Sequence, residues 1–184
     1  MKALDLVSGI LFDPVTTLRR AAAGHLALPL TLGLAAMAVA GASSLAGFPG
    51  HRLGLTLVGL LASLLVLFGQ AAVLNLVAEL LGGGGNGRGL LAALALAQVP
   101  SALLAPAGLL AQVAGWLGTL TRLALFAWVF VLQLLAVREA HRLTTGRALA
   151  VVLIPLGAFF VFLVVLIAAV VRIGVQGVPI PDIF

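Results

Sequence analysis

The chain has 184 residues, 63% of them hydrophobic and 8% charged, and its mean hydropathy is +1.29. A soluble domain carries about 25% charge, and a chain this small keeps too much surface to hide so much apolar area from water, so its solvent is lipid. The net charge of +5 comes from basic residues at the ends of apolar runs, as membrane topology requires, which excludes a nucleic-acid partner; with no cysteine, a disulfide, a thiolate metal site and a cysteine nucleophile are excluded as well.

In chain order, residues 1–25 come first and are not a span. Leu4, Val7, Leu11, Val15 and Leu18 recur at steps of three and four, which predicts one apolar helical face. Asp13-Pro14 interrupts it, because Asp suits an N-cap and Pro the first helical position. The expectation is a cytoplasmic, interfacial amphipathic segment of two short helical pieces. It would lie in the inner headgroup layer, with Arg19 and Arg20 near lipid phosphates.

A helix needs about 20 apolar residues to cross a hydrocarbon core. Five runs qualify, at 26–45, 53–81, 90–110, 116–137 and 148–171. The first follows a long basic lead-in and exceeds a signal-peptide core, so it reads as an uncleaved span. The third contains Pro100 and Pro106, the fifth Pro155. Backbone amides in lipid must be satisfied internally, so helices are expected. The fold class is therefore all-α: a polytopic integral membrane protein with a five-helix domain over 26–172 and a short C-terminal tail, 173–184.

Orientation follows from the basic residues. Lys2, Arg19, Arg20, Arg88, Arg138, Arg142 and Arg147 fall on one side, and Arg52, Arg122 and Arg172 on the other. This predicts an inner-membrane protein with its N-terminus in the cytoplasm and its C-terminus outside. Trp116 and Phe48 then fall at the outer interface. Arg122, several ångströms below Trp116, is expected to snorkel to the outer headgroups.

Residues 82–89 read GGGGNGRG. Arg88 stands where a phosphate-binding loop needs Lys, and Gly89 where it needs Ser or Thr, so a flexible cytoplasmic turn is expected. Polar residues inside lipid need a reason. Gln70, Asn75, Gln98 and Gln133 would either bond between helices or line a polar cavity in the inner half. Glu79, four residues after Asn75, can reach Arg138 or Arg142 and is expected to clamp span two to the elbow joining spans four and five. That elbow, VREAHRLTTGRA from Val137, is expected to end one helix at Arg138-Glu139 and start the next at Arg147-Ala148. Two ladders of small residues, Ala93, Ala97, Ser101, Ala105 and Ala36, Ala40, Ser44, would let helix backbones approach closely.

His25, His51 and His141 lie on different segments without metal-pair spacing. No serine has a base or a nucleophile elbow. With five acids in the chain, positioned acid–base chemistry has little to work with. No catalytic residue, cofactor or metal is expected, and the reading is non-enzymatic.

Several of these stretches carry a family resemblance: GILFDP before the first span, Glu79 followed by Gly82-Gly83, Val99-Pro100, Trp128, and Arg138-Glu139-Ala140-His141 with Gly146-Arg147-Ala148 around the elbow. In this order the chain resembles the Yip (Ypt-interacting protein) family of small five-span membrane proteins, in its bacterial form. In eukaryotic members the resemblance implies a cytosolic N-terminal region, Rab-type GTPase partners and a part in vesicle traffic; here the lead is only about 25 residues. In bacterial relatives it implies an accessory or assembly factor for other membrane machines, including ABC-type exporters. The expected role is helix packing with a membrane-protein partner or a second copy, or the organisation of membrane lipids. Contacts would come from Glu79, Arg138, Glu139, His141 and Arg147, with Asp13 and Pro14 as a hinge. A small transporter or channel lined by Gln70, Asn75, Gln98 and Gln133 is the alternative.

Overall fold

The computed structural model describes residues 3–44 and 52–176, with backbone alone at 44, 52–53 and 173–176. Lys2, Phe48, His51 and residues 177–184 lie outside the described residues. All the described elements are helical: α1 (Ala3–Phe12), α2 (Pro14–Ala23), α3 (Ala27–Ser44), α4 (Arg52–Leu80), α5 (Gly87–Ala97), a 3₁₀ segment (Val99–Leu103), α6 (Leu104–Val113), α7 (Gly115–His141) and α8 (Thr145–Gln176).

Four stretches are long and apolar enough to cross a membrane: Gly54–Leu80, Gly87–Val113, Gly115–His141 and Thr145–Arg172. They correspond to the predicted spans two to five. The run predicted as span one is α3, an apolar helix of 18 residues, about 27 Å long at 1.5 Å per residue. The third crossing is broken in the middle. Pro100 has no backbone N–H to donate, and the chain tightens there into i→i+3 bonds, Gln98 N–H to Ala95 C=O at 3.1 Å and Ser101 N–H to Gln98 C=O at 2.9 Å. Pro155 behaves differently: α8 runs on through it. The predicted tail also begins too early, because 173–176 still belong to α8.

Helix α5 is the centre of the bundle. Every residue from Gly89 to Ala97 is buried, and α2, α3, α4 and α7 all pack against it. Small residues make this possible. A methyl group at Gly33 of α3 would collide with the Ala95 carbonyl, and one at Gly89 with the Ala22 carbonyl. Ala93 and Ala97 of the predicted ladder are fully buried, and Ala36 nearly so.

The N-terminal break falls at Asp13-Pro14, and Asp13 caps α2 by accepting from Thr16 N–H at 3.4 Å. Gly9 sits directly against Thr17, so α1 folds back on α2. The five residues of the predicted stripe do not share one side. Leu6, Ile10, Thr17, Leu18 and Ala21 are buried, whereas Leu4 and Leu11 are exposed. The reason is the break itself: it resets the helical phase, so a stripe counted across it does not hold. The pair α1–α2 packs on protein, with α2 along both α5 and α7 and α1 touching α3, α5 and the 3₁₀ segment.

Candidate functional site

The described loops between α4 and α5 and between α7 and α8 meet at one end of the bundle. Gly84 N–H donates to His141 C=O at 3.3 Å. A methyl at Gly85 would strike the Ala140 carbonyl, and one at Gly83 would lie 3.0 Å from the His141 side chain. Gly82 has φ +84°, which favours glycine, and Arg147 reaches over it, 3.7 Å from where a Cβ would stand. Asn86 then caps α5, accepting from Gly89 N–H at 2.6 Å. The glycine stretch expected as a flexible turn is therefore a packed one. Its lack of side chains is what lets two loops lie backbone to backbone.

The elbow is tighter than predicted. Helix α7 runs past Glu139 to His141, and α8 starts at Thr145 instead of Arg147. Three residues turn the chain. Arg142 adopts the left-handed conformation, φ 55° and ψ 37°, and both its N–H and that of Leu143 return to the Arg138 carbonyl, closing the end of α7.

At this elbow Glu139 holds two arginines at once. Its Oε2 accepts from Arg19 Nε at 2.7 Å, and its Oε1 accepts from Arg138 Nη2 at 2.7 Å and Nε at 3.0 Å. Only 8% of the Glu139 side chain remains exposed, against 67% for Arg19. A carboxylate so withdrawn from water needs such charged partners. Arg19 belongs to α2, so the pair pins the N-terminal helices to the elbow. Arg138 Nη1 also reaches Thr145 Oγ1 at 3.5 Å, tying the start of α8 to the same cluster.

The predicted clamp from Glu79 to Arg138 or Arg142 does not form among the described residues. Glu79 instead accepts from Asn75 Nδ2 at 2.7 Å, one helical turn away, and among the described residues the ion pairs are those of Glu139. Arg138 has a carboxylate next to it in sequence, so the distant one is left to its own helix. His141, predicted as a contact residue, is 1% exposed, and neither ring nitrogen has a hydrogen-bond partner among the described residues. It packs beneath Gly83 and does not face outward. The predicted polar cavity separates into pieces. Gln70 Nε2 donates to Gln133 Oε1 at 3.1 Å, joining α4 to α7. Asn75 serves Glu79, and Gln98 caps α5 through its backbone.

Arg19 is the partner that sequence reasoning missed. It stands 120 residues from Glu139, and no local periodicity links such positions. The sequence places Arg142 as a topological charge within reach of Glu79, and nothing in its spacing announces a left-handed backbone.

No match is found among curated proteins or solved structures. The Yip1 domain does match, over residues 8–167. That range takes in the Asp13 cap, the buried α5, the Glu139 cluster and most of α8, and on it the chain belongs to the Yip1-domain family, as a multi-pass membrane protein.

Proposed function

We propose that this chain is a non-enzymatic, five-span inner-membrane protein that serves as an accessory or lipid-organising factor. In this reading α3 is the remaining crossing. The loop end faces the cytoplasm, and the C-terminus lies outside. The arginine bias supports that orientation: Arg19, Arg20, Arg88, Arg138, Arg142 and Arg147 gather on the elements that meet at the loop end, while Arg122 and Arg172 lie on distant parts of their helices. The helices α1 and α2 sit at the cytoplasmic interface, with Leu4, Leu11 and Phe12 exposed and available to the acyl boundary.

One observation carries the functional reading. The protein is locked at one end and open along its flanks. Glu139 ties α2, α7 and, through Arg138, α8 together. Meanwhile the apolar windows of α4, α7 and α8 are only 17%, 17% and 11% buried. A rigid body with broad apolar flanks binds through those flanks, to lipid or to another helix bundle. The one amide pair that crosses between spans among the described residues, Gln70 with Gln133, is spent on itself, and Glu79 is exposed and bonded to Asn75 of its own helix. This favours packing over a transport path.

Single cysteines at Gly84, Thr144 and Ala114 test the topology. The first two should react with an impermeant reagent only from the cytoplasm, and the third only from outside. Labelling of Gly84 and Thr144 from opposite faces would sink the whole reading. Purification in mild detergent then tests the role. A stoichiometric membrane-protein partner or retained lipid supports it, and uptake of a solute by vesicles containing the pure protein would replace it with transport.

A further inference from the structure

The Glu139 cluster opens on a cleft of about 480 Å³ lined by Arg19, Arg138, Glu139, Arg142 and Leu143. Three guanidinium groups face one carboxylate there, so the cleft keeps two positive charges. The carboxylate is already used on both oxygens. Arg19 spends its Nε on Glu139, which leaves its two Nη groups for another acceptor. Arg142 is exposed, and no hydrogen bond or ion pair engages its side chain among the described residues. Its backbone sits at φ 55°, where glycine or asparagine is at ease and a long side chain is not. What arginine adds at this position is therefore its charge, delivered to the mouth of the cleft.

Guanidinium groups in a fixed array match the paired oxygens of a phosphate. The Leu143 floor is nearly buried, and the volume exceeds what a bare ion fills. We propose that this cleft binds the phosphate group of an anionic ligand through Arg19, Arg138 and Arg142. An anionic phospholipid headgroup and a soluble phosphate are its two sources. The proposal deepens the lipid-organising reading and rests on it for the first source.

The experiment uses the full chain in mild detergent with added phosphatidylglycerol or phosphatidylcholine, and reads bound lipid by native mass spectrometry. Wild-type protein retains phosphatidylglycerol in preference to phosphatidylcholine. Arg142→Gly retains it roughly fivefold less, the effect of one arginine near an anionic surface. It unfolds at no lower temperature, because glycine suits the left-handed backbone; a merely structural role for Arg142 would not separate the two readouts. Arg142→Gln repeats the binding test without changing the backbone preference in the same way, and Arg122→Gln, far from the cleft, keeps wild-type retention. Displacement of the lipid by excess inorganic phosphate, or binding of phosphate alone that is lost in Arg142→Gly, assigns the soluble source. Resistance to phosphate assigns the headgroup.

Equal retention by wild type and both Arg142 variants, with phosphate acting on all alike, overturns the cleft and leaves the lipid-organising reading standing. A wild-type protein that shows no preference between the two lipids, yet binds phosphate through Arg142, keeps the cleft, assigns it the soluble source and removes the headgroup.

Discussion

Helices α5 and α8 are both apolar on nearly every side, yet they occupy opposite places in the molecule. The window containing α5 is 56% buried, and that of α8 only 11%. The exposed helix is the more hydrophobic of the two, with a hydropathy of 3.1 against 1.8. In water that order would be absurd. In lipid the surroundings are as apolar as the core, so hydrophobicity no longer sorts inside from outside. Size does. Helix α5 reads GRGLLAALALA, and its alanines let four helices close around it. Helix α8 presents Phe159, Phe160, Val161, Phe162 and Val164 outward, where bulk meets lipid without obstruction.

Ala97 is a position on α5 with little room to give. Enlarging it to leucine inserts three carbons where nothing is exposed. Ala97→Leu should destabilise the bundle by about 3 kcal/mol, the upper end for overpacking. The control Val164→Leu on α8 should stay within about 0.5 kcal/mol. Unfolding in mixed micelles with increasing dodecyl sulfate measures both. Equal midpoints for the two variants would mean that α5 is not the enclosed helix.

This contrast also explains what the sequence could tell. Spans two to five were legible because length and apolarity suffice to mark a crossing, and their ends fell within a few residues of α4, α5–α6, α7 and α8. The Asp13-Pro14 break was legible because capping is local chemistry. The faces were not. Helix α1 does have an exposed polar side, at Asp5 and Ser8, but Leu6 and Ile10 are covered by the fold-back onto α2 and by α3, α5 and the 3₁₀ segment, which no local pattern names. The pairing of Arg19 with Glu139 was hidden for a different reason. Glu79 and Glu139 are equivalent as charges in a string of letters, and only the fold decides which one α2 approaches.

The locked end is held by charge where α5 is held by fit. Glu139→Gln keeps the shape and removes the charge that holds Arg19 and Arg138. The expected loss is about 1.5 kcal/mol, as for hydrogen bonds to a charged group, discounted for the exposure of Arg19. Its more telling signature is local. Trypsin should cut after Arg19 and Arg20 faster than in the wild type, because α2 is released from α7. Arg19→Gln removes one of these two sites, but at the remaining bond after Arg20 it should give the same acceleration, and the double variant no more than either single. Additive effects would show that the two residues act separately.

Asp13→Ala comes next. It removes the acceptor for Thr16 N–H and leaves the first turn of α2 uncapped, an expected cost of about 1 kcal/mol. Asp13→Asn should recover most of it, since the amide oxygen still accepts. Hydrogen exchange at the α2 amides reads the difference. If the asparagine and alanine variants exchange alike, the charge of Asp13 and not its cap is what matters.

The smallest effect is also the one that separates packing from transport. Gln70 and Gln133 bond directly between α4 and α7 at 3.1 Å. Water lining a path would compete for both amides and leave little coupling between them. A dry contact should instead show a coupling near the membrane average, about 0.6 kcal/mol. The cycle of Gln70→Leu, Gln133→Leu and the double variant measures it in the same micelles. A double variant as stable as the wild type, with each single variant weaker, fits two amides that serve only one another. Strictly additive singles would mean that each amide has its own partner in water, and the polar interior would then belong to a path.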